Sequence, residues 1–334
     1  MSQARTLEIS RLVAGSHARM AGQPVAGGQR PSGKEHTSAY NRDVVLSRVA
    51  LVFVALLAPA PSLRAVDELT VSYRAGLVQP GDVLHLAVTA PPGVTSVSGT
   101  WHERLAPLVR DADGVWRGLL GIDVAADAGP KTLLLTGVRS GAVALSLTHT
   151  VTVSPKTVRT RRITVNPKFV NPPKSALPRI QRETELLNAL FRRAPSERMW
   201  TLDAARPVEG VAVSGFGVRS ILNGQPRGPH NGLDLAAGTG TPIYVPTAGL
   251  VVFAREFYYS GNTVIVDHGH GLFSTMAHLS AFDVKEGERV AKGALLGKVG
   301  ATGRVTGPHL HWAVRLHGDR VDPLKLLEAL APKS

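Results

Sequence analysis

Five side chains in the last third of the sequence have the types and spacing that metal-assisted hydrolysis needs. His230 and Asp234 stand four residues apart in Gly-Pro-His-Asn-Gly-Leu-Asp, with Gly232 between them. A glycine there lets the backbone turn, so that an imidazole and a carboxylate converge on one point. His309 and His311 sit in Gly-Pro-His-Leu-His-Trp-Ala-Val, and His278 in Met-Ala-His-Leu-Ser. The chain has no cysteine, which removes thiolate metal sites, disulfides and cysteine nucleophiles together. A catalytic zinc takes three nitrogen or oxygen ligands and keeps one position open for water. His230, Asp234 and one of the paired histidines meet that requirement. Such a zinc lowers the pKa of its water to about 7. Two further histidines beside it would orient that water and donate to the carbonyl oxygen or leaving amine. A lone His-x-x-x-Asp or His-x-His says little, whereas all five on one Gly-rich β framework say much more.

The elements that must position these groups read as strands. From about His309 the apolar continuation implies a strand, in which alternate residues share a face. His309 and His311 then point the same way, and Leu310 and Trp312 point into the core. His278 lies at the end of another β run that begins near Asn262. Seven of the twelve histidines fall between His230 and His317, so the others need separate readings. His268 and His270, at a strand end entering a turn, are expected to pack or to wall the substrate site. His317 is expected in a loop, and Asp267 and Asp322 in turns or at strand ends.

The segment from about Val208 to Leu327 resembles the lysostaphin/LytM-type zinc peptidases, whose pattern is His-x-x-x-Asp, then His, then His-x-His. The likeness extends to Gly215-Phe216-Gly217-Val218-Arg219, Gly238-Thr239-Gly240-Thr241-Pro242-Ile243, Ala248-Gly249-Leu250-Val251, Val290-Ala291-Lys292-Gly293 and Gly297-Lys298-Val299-Gly300-Ala301-Thr302-Gly303. The resemblance implies that His230, Asp234 and His311 bind one Zn2+ per chain. It makes His278 and His309 the catalytic pair that positions the attacking water and stabilises the tetrahedral intermediate. It further implies an antiparallel β peptidase domain, similar to a duplicated hybrid motif, that hydrolyses peptide bonds in peptidoglycan cross-links or stem peptides. Two positions depart from the pattern. Met276 stands where relatives often have Tyr, a place that packs. No Tyr closely precedes His230 to stabilise an oxyanion, which leaves Arg219 and Tyr258 as candidates for that role.

The rest of the chain reads as export and spacing. Val49–Ala58 is an apolar run of roughly ten residues with Arg48 before it, short for a membrane span of about 20 residues but suited to a secretory signal over residues 44–65. No stable membrane span is expected after its cleavage, and the product is expected in the periplasm or at the cell wall outside the cell. Residues 1–43 are expected to be disordered or to precede the true translation start near Val44 or Leu46. From 66 to 155, short strand candidates at Val83–Val88, Val115–Leu120, Thr132–Leu135 and His149–Val153 alternate with turn signals such as Pro80-Gly81-Asp82 and Asp113-Gly114. That pattern predicts an immunoglobulin-like β-sandwich; Gly76–Gly81 and Leu120–Asp123 also resemble a β domain that precedes the peptidase in some bacterial members. Residues 156–207 read as a basic linker, Pro-interrupted and free of acidic residues up to Arg182, followed by a short helix through Ile180, Glu183, Leu187, Leu190 and Phe191. The peptidase domain spans 208–334.

The fold class is therefore mostly β. The formal charge of +13 suits a polyanionic partner, and the linker suits anionic wall polymers. Nucleic acid is not expected, since no aromatic-interleaved basic module is present and the export signal opposes it. A metal-free regulator of the same fold would have lost ligands, and none is missing here. Occupation of the open metal position by Asn171 would make the enzyme latent.

Overall fold

The computed structural model describes residues 68–193 and 196–332. The expected signal segment and the prefix before it lie outside the described residues. Strand far outweighs helix in what is described.

Residues 70–153 form two four-stranded antiparallel sheets around one apolar core. One sheet is ordered β1 (Thr70–Tyr73), β2 (Val83–Thr89), β6 (Trp116–Gly121), β5 (Val109–Arg110). The other is ordered β4 (Arg104–Pro107), β3 (Val94–Trp101), β7 (Gly129–Arg139), β8 (Ala142–Val153). The alternating inward residues Leu84, Leu86 and Val88 of β2 meet Val97, Trp101, Leu133 and Leu135 across the interior, as period-2 strands with one buried face require. The expected strands at 132–135 and 149–153 are parts of one long hairpin. Its register runs from Gly129 opposite Val153 to Arg139 opposite Ala142.

The larger sheet holds the predicted site. Its main path runs β10 (Ala212–Ser214), β13 (Gly232–Leu235), β20 (Leu310–Leu316), β17 (Leu272–Phe282), β16 (Gly261–Gly269), β15 (Gly249–Phe257), β18 (Arg289–Val290). β19 (Leu295–Val299) joins β17 to β14 (Pro242–Tyr244), and β21 (Asp319–Val321) pairs with β20. Central strands are buried on both faces, so β16, β17 and β20 read as near-continuous apolar runs. Leu233, Val264, Val266, Met276, Leu279, Leu310, Trp312 and Val314 form the core under the site. Met276 packs there with no exposed surface, as the sequence implied.

The basic stretch after the two small sheets is tied to the large one. β9 (Thr160–Ile163) pairs in parallel with β11 (Arg219–Leu222), which pairs with β12 (Gln225–Pro229). Arg161 and Arg162 therefore stand in a three-stranded sheet. The expected helix is α1 (Leu177–Phe191), whose Leu190 packs on Phe253, Phe257, Ile265 and Phe273. At the far end Asp322 caps the short helix α2 (Pro323–Ala329) by accepting from the Leu324 amide at 2.9 Å. Asp123, just after β6, accepts from the Arg320 amide at 2.8 Å and from its Nε at 2.9 Å.

Candidate metal centre

Strand pairing, rather than chain proximity, assembles the site. Asp234 on β13 lies directly opposite His311 on β20, and on the other side of β20 His311 lies opposite Ala277 on β17. His230 enters from the loop before β13. Its backbone is pinned by its amide to Val218 O at 2.9 Å and by its carbonyl to the Gly217 amide at 2.8 Å. Gly232 is placed in β13 with ordinary strand backbone, not in a turn. A Cβ there would come 2.6 Å from His311 Cε1, 2.8 Å from His311 Nε2 and 2.7 Å from the Trp312 carbonyl. The glycine makes room for an imidazole across the ladder, which is a different reason from the turn expected of it.

Three donor atoms meet. Asp234 Oδ1 is 2.8 Å from His311 Nδ1 and 3.1 Å from His230 Nε2, and the two nitrogens are 3.2 Å apart. Ligands about 2.0 Å from a tetrahedral zinc would be about 3.3 Å from one another, so the set is sized for one small cation. Its composition, two imidazoles and a carboxylate, also suits zinc. His230 Nδ1 donates to the Gly215 carbonyl at 3.0 Å, which turns the ring so that Nε2 is aimed at the cluster. Among the described residues this is the one group of three or more such side chains whose ligand atoms converge.

His278 and His309 face the same point from the other side. His278 lies at a β-bulge: Val264 pairs with Met276 but Asn262 with Leu279, and the His278 backbone is left-handed, with φ 69°. A bulge re-aims a side chain, and a non-glycine residue with positive φ is strained and tends to occur where function demands it. His278 Nδ1 donates to the Thr302 carbonyl at 2.8 Å, and His309 Nδ1 to the Gly307 carbonyl at 2.9 Å. Both rings thus present Nε2 inward. Their centroids are 5.0 Å apart, and His309 Nε2 is 3.7 Å from Asp234 Oδ1. All five residues line one groove of about 850 Å³.

With that geometry in place, likeness to known proteins becomes informative. Residues 228–323 match the model of peptidase family M23. A crystal structure of a peptidase M23 from Pseudomonas aeruginosa is 33% identical, covering 76% of this chain and 96% of that one, with a TM-score of 0.61. The chain belongs to peptidase family M23. The M23 segment is also 37% identical over 140 residues to the peptidoglycan DD-endopeptidase ShyA of Vibrio cholerae, covering 42% of this chain and 30% of that protein. It is 42% identical over 97 residues to the DD-carboxypeptidase/endopeptidase Mpg of Neisseria meningitidis, covering 29% of this chain and 22% of that protein. The chain thus spans less than a third of the length of these curated relatives. The resemblance to lysostaphin/LytM-type peptidases is borne out at the level of the family.

Electrostatics in the M23 groove favour metal-ready protonation states. Burial acts to raise the Asp234 carboxyl, but hydrogen bonds from His230 and His311 outweigh it and hold Asp234 well below the usual carboxylate range. Burial, joined by the charge of His311, pushes the His278 imidazole down to about 3. Burial likewise lowers His311 against the pull of Asp234. An ionised Asp234 and a neutral His311 are the states in which these two groups ligate, and a neutral His278 is the state in which it accepts a proton.

The two oxyanion candidates are not brought to the M23 groove. Arg219 is exposed on β11 and lines a separate, smaller cleft. The Tyr258 hydroxyl donates to the Lys168 carbonyl at 3.0 Å, and Tyr259 is the tyrosine in the groove wall. Asn171 accepts from Gln225 Nε2 at 3.1 Å and is not among the groove residues. His268 is buried between the Ala248 carbonyl and Ser274 Oγ, each at 2.9 Å, a packing role as expected. His317 is in the turn after β20 but buried, not a free loop side chain. Sequence reasoning missed Arg161, which reaches from β9 to within 3.8 Å of Asp234 Oδ2, and it missed Thr302 and Arg304. The Thr-Gly-Arg run just before His309 was the signal for the last two.

Proposed function

We propose that this protein is a zinc-dependent endopeptidase that hydrolyses peptide bonds in peptidoglycan cross-links or stem peptides. The observation that carries the reading is the convergence of Asp234 Oδ1, His230 Nε2 and His311 Nδ1 within 3.2 Å, under a groove into which two further imidazoles project. The names of the M23 relatives ShyA and Mpg support the substrate class. In this reading His230, Asp234 and His311 hold the metal. Zinc, when bound, supplies a Lewis acid that polarises the scissile carbonyl and acidifies water toward neutral pH.

The chain's own residues supply the rest. His309, with its Nδ1 proton committed to Gly307, offers Nε2 to take the proton of the attacking water. His278, fixed in the same way by Thr302, offers its bare Nε2 to hold the water in line, and His309 returns the proton it took to the departing amine. Arg161 steadies the second carboxylate oxygen of Asp234. Cleavage of purified cross-linked sacculi by the wild type, abolished by chelator, restored by zinc and lost in His309→Ala, is the expected result. Wild-type protein that carries zinc and releases no muropeptide from any sacculus would overturn the reading. A metal-free regulator of the same fold is the second reading, and stoichiometric zinc in the purified protein would dismiss it.

The remaining parts of the proposal concern organisation. We read residues 66–155 as an immunoglobulin-like sandwich, 156–207 as the basic connection that meets anionic wall polymers, and 208–334 as the peptidase. The signal at 44–65 delivers the protein to the periplasm or cell wall.

A further inference from the structure

The charge lining the groove is one-sided. Asp234 is the one carboxylate among its wall residues, and it is already shared by His230, His311 and Arg161. The other ionised groups are arginines: Arg161, Arg227, Arg304 and Arg315. Arg161 is engaged by Ser220 and Asp234, and Arg315 by the Gly318 carbonyl and the face of Phe191. Arg304 differs. Its guanidinium lies over the Tyr259 ring, 4.8 Å from the centroid, and it makes no side-chain hydrogen bond or ion pair among the described residues. Arg227 donates through one nitrogen to the Val170 carbonyl and Gln225, but its Nε is buried without an acceptor.

Both of these cations line the groove wall. Burial, and after it the charge of Arg227, depress Arg304 below the ordinary guanidinium value. Half-buried like charges with donors to spare are costly unless an anion lies between them. The position is also set relative to the chemistry. The Arg304 amide donates to the Tyr259 carbonyl at 2.8 Å, and Thr302, two residues earlier, supplies the carbonyl that fixes His278. Arg304 therefore stands on the loop that orients one assisting histidine and leads into the other. Its stacking on Tyr259 holds the planar fork ready for a bidentate partner.

We propose that Arg304, with Arg227 beside it, is a specificity subsite that recognises a free carboxylate on the substrate peptide next to the bond being cut. The inference rests on the endopeptidase reading and narrows it: the substrate class is an acidic peptide, and amidation of that carboxylate protects the wall from this enzyme.

The test uses the full zinc-loaded chain and two cross-linked muropeptide dimers, identical except that the carboxylates flanking the cross-link are free in one and carboxamides in the other. Cleavage rates and equilibrium binding by calorimetry are both measured. The wild type is expected to favour the free-carboxylate dimer by at least about tenfold in kcat/KM, carried mainly by KM. Arg304→Gln is expected to reduce that preference to less than about threefold, with Arg304→Lys between the two because it keeps the charge and loses the fork. Equal cleavage of both dimers by the wild type, or an undiminished preference in Arg304→Gln, overturns the subsite and leaves the endopeptidase reading standing. If neither dimer is cut, the endopeptidase reading fails for this substrate, and binding alone decides the subsite. Tighter binding of the free-carboxylate dimer, weakened in Arg304→Gln, upholds it; equal binding of both overturns it.

Discussion

Replacing Gly232 by Ala would put one methyl group where the structure has no space for it. The new Cβ meets His311 Cε1 at 2.6 Å, the Trp312 carbonyl at 2.7 Å and His311 Nε2 at 2.8 Å, well inside the roughly 3.5 Å at which carbon atoms rest in contact. The carbonyl is backbone of β20 and cannot withdraw without opening the β13–β20 ladder. The imidazole is the softer neighbour, but moving it breaks the 2.8 Å contact with Asp234. Relief therefore comes from turning His311 out of the cluster. Overpacking of this kind costs about 1–3 kcal/mol, which for a chain of this size is a few degrees in Tm. The larger effect is on the site, because a ligand displaced by a fraction of an ångström loses most of its worth. Zinc affinity is expected to fall by at least about tenfold, the scale of losing the support of a ligand. Cleavage of sacculi at saturating zinc should fall by about a hundredfold, as a displacement of about 1 Å does elsewhere. Gly238→Ala is the control, since nothing lies within 4 Å of its would-be Cβ, and it should match the wild type. The assay is competitive zinc titration against a chromophoric chelator, with cleavage and thermal unfolding on the same preparations. Wild-type zinc affinity and activity in Gly232→Ala would refute the claim that this glycine exists to admit the His311 ring.

Three further outcomes follow from other contacts. Thr302→Ala removes the hydroxyl that donates to the Leu279 carbonyl and accepts from the Asn262 amide, each at 2.9 Å; it should lower kcat about tenfold by loosening the carbonyl that fixes His278, with zinc content unchanged by elemental analysis. Burial pushes His268 and His317 each down to about 4 in the folded protein, so the stability this confers is complete above the unfolded value near 6.5 and is lost as pH falls toward 4. Each accounts for about 3 kcal/mol by linkage, and denaturant midpoints taken at steps between pH 7 and 4 should drop steeply, less so in His268→Gln. Asp123→Ala deletes the acceptor of the Arg320 amide and guanidinium and should cost about 2 kcal/mol, read as a lower denaturant midpoint with unchanged zinc binding.

The five residues could be named from the sequence because each carries its chemistry in its type, and because His-x-His on a strand fixes a shared face whatever the rest of the fold does. Leu310 and Trp312 are fully buried, as that alternation requires. Gly232 could be singled out but not explained, since its reason is a ring on β20, nearly eighty positions away. The arginine that touches Asp234 was equally hidden. Arg161 belongs to a Pro-interrupted basic stretch that looks solvated, and only the parallel pairing of β9 with β11 brings it to the groove. A parallel ladder between segments so far apart leaves no local mark, because its pairing geometry is supplied entirely by the partner strand. Tyr258 and Tyr259 illustrate the same limit: both sit in the turn between β15 and β16 with their rings 5.0 Å apart, yet Tyr259 is the one that lines the groove.

His278 is the sharpest instance of this limit. In an unbroken ladder its neighbours Ala277 and Leu279 would alternate with it in the ordinary way, and nothing in Met-Ala-His-Leu-Ser announces an exception. The extra residue between the Met276 and Leu279 pairings, together with the positive φ it forces, tilts the imidazole toward β20, where its ring centroid lies 5.9 Å from that of His311. That conformation costs about 1–3 kcal/mol for a residue other than glycine. Two neighbouring loops offset the cost locally: the His278 amide donates to the Ser260 carbonyl at 3.0 Å and its ring to the Thr302 carbonyl at 2.8 Å. The loop that holds Thr302 also carries Arg304, and then continues into His309. One bulge and one loop thus set two imidazoles and a guanidinium relative to each other, which explains why the Thr-Gly-Arg run and the His-Leu-His run lie so close in sequence.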